Sequence, residues 1–232
     1  LEKDKERYKR LINDYKKSDF PLEMNRFNGI IGNDIEPEKY LTNNAFHELH
    51  EIEEKGYKIF HHSLTRGGVG CFLSHYSVMK QLLEENQSDC LYLILEDDTI
   101  LHKDTYRNIQ KMIKYAPEDW DFLLFYTINS KGESNNIFFN KVQYFWGMNC
   151  YIVNKKGAKK FIDKVEYSKI DGQVDMYLSK MTKEDGLNIY ASKNRLVSSA
   201  SHLTQTNVQT LLKKKDGVDP FYYNGFNERL QF

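Results

Sequence analysis

The chain has 232 residues, enough for one sizeable α/β domain with a real core and short for two. Its 33 Lys and Arg balance its 33 Asp and Glu, which leaves no basic field to hold nucleic acid, and 16 Tyr with 14 Phe are foreign to a disordered chain. Three scattered cysteines, Cys71, Cys90 and Cys150, cannot all pair internally, and the absence of a CxxC spacing argues against a zinc site. No apolar run approaches the length of a transmembrane segment, and no signal peptide is visible.

In chain order, Tyr8, Leu11, Ile12 and Tyr15 recur at helical spacing, and Phe20-Pro21 stops that helix. Residues 26 to 31 read as a short strand, and 33 to 58 as a loop-rich insertion with short helices. Arg66-Gly67-Gly68-Val69-Gly70 reads as a glycine turn that opens a helix, whose core face is Phe72, Tyr76, Met79 and Leu83. Leu91-Tyr92-Leu93-Ile94-Leu95 is a continuous apolar run, expected as a buried, parallel strand. Asp104 is placed to cap a helix with Ile109, Met112 and Ile113 on its inner face, and residues 121 to 126 read as another buried strand. Residues 128 to 136 form a polar loop in this reading. A strand at 149–153 leads to Asn154, the N-cap of a helix through Ala158 and Val165. A helix over roughly 172–181 and a strand over 187–191 follow. Alternating strands and helices predict a single α/β domain with a mostly parallel central sheet flanked by helices.

The chemistry concentrates where the first apolar run ends, at Glu96-Asp97-Asp98. Adjacent carboxylates repel, so something positive should compensate them, and ligands gather outside the carboxyl ends of strands in open α/β sheets. Hard oxygen ligands suit magnesium or manganese. The plain alternative is a solvated acidic turn. The glycine-rich stretch upstream offers close backbone approach and free N–H groups at a helix start, which favour anions, or it merely reverses the chain.

Gly70-Cys71-Phe72-Leu73-Ser74-His75, followed some twenty residues on by Leu93-Ile94-Leu95-Glu96-Asp97-Asp98, closely resembles glycosyltransferase family 25, which includes bacterial lipooligosaccharide galactosyltransferases and the procollagen galactosyltransferases. Leu1 to Arg7, Trp146-Gly147, Tyr151-Ile152-Val153, Lys156 to Lys160 and Val174-Asp175-Met176-Tyr177-Leu178 agree with it, so the likeness covers residues 1 to about 205. Two departures stand out. Gly67-Gly68-Val69 lacks the acidic residue usual before the Gly-Cys pair, and the family's first strand survives only as Leu1.

The resemblance implies a GT-A-type nucleotide-sugar-binding domain over 1–205, with 206–232 as a C-terminal tail that covers the active site or moves freely. It implies a UDP-sugar donor, Mn2+ (or Mg2+) as cofactor, and inverting transfer of a hexose, galactose before glucose, to a hydroxyl of a glycan or a hydroxylysine-type protein acceptor. Glu96, Asp98 and His202 are the expected metal ligands. Arg66, Gly70, Ser74, His75, Glu96 and Asp97 are expected to hold the donor, and Trp146 and Gly147 the acceptor. Asp175 is the expected catalytic base, with Asp171 in reserve. Each residue has a plainer reading: a helix-start aspartate, a core tryptophan, a surface arginine, a packed histidine. A nucleotidyltransferase and a non-catalytic, degenerate sugar-binding module are the rival functions. No nucleic acid partner and no transmembrane segment are expected. The compartment is cytoplasmic, at a membrane face in one variant, for a bacterial or viral chain, as its Lys- and Asn-rich usage suggests, and the ER lumen for one of the procollagen type.

Overall fold

The computed structural model describes residues 5–21, 23–58 and 63–200. Helix α1 (Lys5–Lys17) is amphipathic and buries Leu11. An irregular stretch follows, with 3-10 turns at Gly32–Asp34 and Pro37–Lys39, and then α2 (Asn43–Lys55), which Thr42 caps at its start and Gly56 ends in the left-handed region at φ 72°. The strand expected at 26–31 is not formed, and the insertion holds a full three-turn helix.

Helix α3 (Arg66–Glu84) begins inside the glycine-rich stretch, not after it: Thr65 is the N-cap, accepting the Gly68 N–H at 3.1 Å. The glycines serve packing. A Cβ on Gly70 would stand 2.5 Å from the Ile30 carbonyl oxygen and 2.7 Å from the Gly32 nitrogen, so segment 30–34 lies directly on the helix backbone.

The remaining elements are β1 (Leu91–Leu95), β2 (Thr99–Leu101), α4 (Thr105–Ile113), β3 (Phe122–Leu124), β4 (Asn129–Ser134), β5 (Phe139–Trp146), β6 (Cys150–Asn154), α5 (Lys155–Ser168), α6 (Val174–Glu184), β7 (Ile189–Ser192) and β8 (Val197–Ser199). Asn154 caps α5 as expected, accepting the Gly157 N–H at 2.8 Å. Asp104 sits at the N-cap of α4 without a capping bond; Asp19 takes the Tyr106 and Arg107 N–H groups instead, at 3.0 and 3.1 Å. The polar stretch 128–136 is largely strand β4, hairpin partner of β5.

Six strands form a mixed sheet in the order β1-β6-β3-β7-β5-β4, and β2 pairs with β8 apart from it. The mostly parallel sheet expected from the sequence is corrected: only β3 and β7 pair in parallel, while β6 runs antiparallel between β1 and β3, and β5 antiparallel to both its neighbours. Strand β1 is therefore an edge strand of this sheet and half-buried. Alternation along the strands builds a core on each face. Phe122, Leu124, Tyr151 and Val153 meet α3, α5 and α6 through Phe72, Phe161 and Tyr177. Leu123, Phe125, Cys150 and Ile152 join Leu11 of α1 and Ile109 and Met112 of α4 on the other face. All three cysteines are free, with Cys150 buried and Cys71 and Cys90 intermediate. No described helix is long and apolar enough to cross a membrane.

Candidate active site

The acidic triplet is the turn between the two sheets. Glu96 donates its N–H to the Asn149 carbonyl at 2.9 Å, and Thr99 closes the turn by donating its N–H to the Glu96 carbonyl at 3.0 Å. The Thr99 hydroxyl donates to the same Asn149 carbonyl at 2.7 Å. One residue before β6 thus anchors both ends of the turn, and its side chain goes further: Asn149 Nδ2 donates to Asp98 Oδ1 at 3.3 Å.

Asp98 is buried, 8% exposed. Its other oxygen accepts the Ser199 hydroxyl at 2.9 Å, and its carbonyl accepts the Ala200 N–H at 2.8 Å. Burial, and then the charge of Glu96, push its carboxyl above the usual range against the pull of Ser199, Arg7 and Asn149. Asp97 turns the other way, to Arg7 of α1, with Nη2 2.7 Å from its Oδ1; the same nitrogen is 4.0 Å from Asp98 Oδ2. Arg10, one turn on, donates to the Asp97 carbonyl at 3.2 Å. The compensating charge expected for the triplet is thus supplied in part by the protein.

Glu96 faces α3. His75, 6% exposed, bridges it to Tyr151: Nε2 is 3.4 Å from Glu96 Oε1, and Nδ1 is 2.7 Å from the Tyr151 hydroxyl. Burial raises Tyr151 well above its ordinary value, so the hydroxyl keeps its proton. The two ring nitrogens of His75 thus engage Tyr151 on one side and Glu96 on the other. Ser74 accepts the Ile30 N–H at 2.8 Å and donates to the Gly70 carbonyl at 2.7 Å, fixing segment 30–34 to the helix.

Arg7, Ser74, His75 and the acidic triplet line a cavity of about 930 Å3, within the size range of small-molecule sites. Strand β1 and the triplet form one wall, Gly67, Cys71, Ser74 and His75 of α3 another, and α1 with residues 23–33 the rest.

The other expected residues lie elsewhere. Arg66 is tied to Glu53 of α2 by Nε at 2.7 Å and does not line the cavity. Asp175, at the start of α6, accepts the N–H of Gly147 at 2.9 Å and of Met176 at 2.8 Å. Burial raises its carboxyl, those two N–H groups oppose the rise, and Glu96 adds to it. The same raising by charge links Asp175 to Tyr144, whose hydroxyl burial and Asp175 push up to about 12. Gly147 adopts φ +75°, which is why glycine stands there, and Trp146 donates its indole N–H to Met176 Sδ at 3.3 Å. Asp171 pairs with Lys180 at 2.7 Å. His202 lies outside the described residues, as does the tail 206–232. Sequence reasoning missed Arg7, Asn149, Tyr151 and Ser199, which reach the triplet from distant parts of the chain. It also missed Lys58, 1% exposed and pushed down to about 8 by burial against the pull of Glu48 and Asp175.

Among the described residues no three His, Cys, Asp or Glu side chains converge as a metal-binding group. The donor set nonetheless fits a hard divalent cation in part. Glu96 and Asp98 repel one another in a buried place, and beside them Asn149, 4% exposed, keeps its amide oxygen buried with no donor among the described residues.

A mixed α/β sheet, an acidic turn at a strand end and a cavity beside it make a candidate small-molecule site. Residues 1–178 match the model of glycosyltransferase family 25 (LPS biosynthesis protein), and the chain belongs to that family. It is 29% identical over 150 residues to procollagen galactosyltransferase 1-B of Xenopus laevis, an alignment covering 59% of this chain and 24% of that protein. A glycosyltransferase 25 family member of Aedes aegypti is 23% identical over 219 residues, 88% of this chain and 34% of the other. Human procollagen galactosyltransferase 2 is 25% identical over 152 residues, 60% of this chain and 24% of the other. The alignments thus take in between 24% and 34% of the length of these relatives.

Proposed function

We propose that this chain is an inverting, metal-dependent glycosyltransferase that moves a hexose, galactose before glucose, from a UDP-sugar to a hydroxyl of a glycan or hydroxylated protein. The observation that carries the reading is the acidic turn of a family 25 chain lining a cavity of about 930 Å3, with Asp98 held buried and Glu96 facing His75.

Glu96 and Asp98 would hold Mn2+ or Mg2+, with His202 as the third ligand. Two observations favour His202: Ser199 and Ala200, the residues shortly before it, are both bonded to Asp98. When bound, the cation supplies Lewis-acid stabilisation of the charge that grows on the departing diphosphate.

The chain's own residues do the rest. His75, locked by Tyr151, orients Glu96, and Asn149 and Ser199 orient Asp98. Asp175 takes the acceptor's proton. Burial raises its basicity above that of a solvated carboxylate, and the Gly147 and Met176 N–H groups hold it in place. The acceptor lies against Trp146 and the Gly147 turn, beside the exposed Ile128.

The test is a screen of nucleotide sugars with and without Mn2+, reading released UDP. Turnover should require both UDP-hexose and cation, and Asp98→Ala should abolish it. Release of pyrophosphate from a nucleoside triphosphate, or full activity in Asp98→Ala, rules the reading out.

A further inference from the structure

The cavity has a charge problem that the carboxylates do not solve. A diphosphate brought beside Glu96, Asp97 and Asp98 adds negative charge that the cation proposed on Glu96 and Asp98 would offset only in part. Among the described residues the lysine and arginine side chains lining the cavity are Arg7 and Arg26. The Arg26 guanidinium lies over the Tyr8 ring, 4.5 Å from its centroid. Arg66, which the sequence singled out for the diphosphate, is spent on Glu53.

Arg7 has both position and unused capacity. Its side chain is 14% exposed, and one terminal nitrogen is fixed on Asp97 at 2.7 Å. Its Nε–H is buried and meets no acceptor among the described residues. The Nε–H of Arg10, one helical turn along α1, is in the same condition, while its Nη2 is held on the Asp97 carbonyl. A buried guanidinium donor left without an acceptor is rare in a folded protein and points to a group that completes it. A planar guanidinium fork at a cavity wall suits a phosphate.

We propose that Arg7 is a diphosphate-binding residue of this site, and that Asp97 is a positioning residue that holds its guanidinium at the cavity wall. Phosphate oxygens accept from the part of the Arg7 guanidinium that lines the cavity while Asp97 keeps Nη2. The arginine stands between the anion and the carboxylates. The inference rests on the nucleotide-diphosphate reading of the cavity but can fail separately from it.

The experiment is calorimetric titration of the full chain with UDP, uridine and inorganic pyrophosphate, in wild type, Arg7→Gln, Arg7→Lys and Asp97→Asn, with circular dichroism to confirm folding. UDP and pyrophosphate should bind Arg7→Gln roughly tenfold to a hundredfold more weakly than wild type, with uridine unchanged. Arg7→Lys, which keeps the charge and loses the fork, should fall between, and should fold where Gln does not. Asp97→Asn should weaken the diphosphates and spare uridine. Wild-type binding of UDP that Arg7→Lys and Arg7→Gln leave intact overturns the inference and leaves the donor reading standing. Arg7-dependent binding of pyrophosphate without any binding of UDP does the reverse. Equal loss of UDP and uridine, or no diphosphate binding by wild type, also overturns it.

Discussion

Asp98 is buried in a place that resists its charge, and this has a measurable consequence. Its folded-state pKa lies above the ordinary carboxylate value, so the fold favours the protonated form. The stability that form contributes is present below the unfolded pKa of about 4 and is lost as pH rises through the folded one. Asp98→Asn imitates the protonated group: its amide oxygen still accepts from Asn149, and its NH2 can donate to the Ser199 hydroxyl. The variant should melt higher than wild type at pH 7, by a few degrees, since each kcal/mol is worth about 2–4 °C in a chain of this size. The advantage should vanish towards pH 3, and donor turnover should be lost. The same melting shift at both pH values would remove the electrostatic account. Glu96-Asp97-Asp98, Ser74 and His75 were legible in the sequence because each belongs to a continuous run that also forms one element. Arg7, Asn149 and Ser199 were not, because they meet the triplet from 90, 51 and 101 residues away. Nothing local marks an arginine in Lys5-Glu6-Arg7 as the partner of a turn after β1.

Among the elements, helices were read well wherever apolar residues kept a helical period, as in α3 and α5, and where a cap was written beside them, as at Asn154. Strand β4 was hidden because its residues are almost all exposed, so its hydrogen bonds to β5, not a buried face, define it. The glycines of α3 misled for another reason. A run of glycine reads as a turn from conformational freedom alone, yet here it lets another backbone touch a helix. Gly70→Ala tests which effect dominates. Alanine in a helix interior should gain about 1 kcal/mol over glycine. The added Cβ, however, would stand 2.5 Å from a backbone oxygen and 2.7 Å from a backbone nitrogen, neither of which can rotate away. The clash should win, with a net loss of roughly 1–3 kcal/mol in urea unfolding. A stabilised Gly70→Ala would mean that segment 30–34 is not seated on α3.

For the whole molecule, alternating strands and helices suggested parallel pairing, and the sequence had no way to show that β6 enters antiparallel between β1 and β3. That insertion puts β1 on the rim of the sheet, where its residues line the cavity while packing, partly buried, against the two cores. The cavity is walled by α1, residues 23–33, α3 and the β1 edge. A ligand that fills it should tie them together, and mass action fixes how strongly. At a hundredfold excess over the dissociation constant, ligand bound to the folded state alone adds about 2.7 kcal/mol. That corresponds to a rise in melting temperature of roughly 5–10 °C for a chain of this length. UDP with Mn2+ should give the rise, and amide exchange should show where it acts. Protection should grow in α1 and in residues 23–33, which line the cavity. The β4–β5 hairpin, none of whose residues line the cavity, should exchange as before. A melting shift with protection confined to the hairpin would place the ligand elsewhere and separate the acidic turn from nucleotide binding.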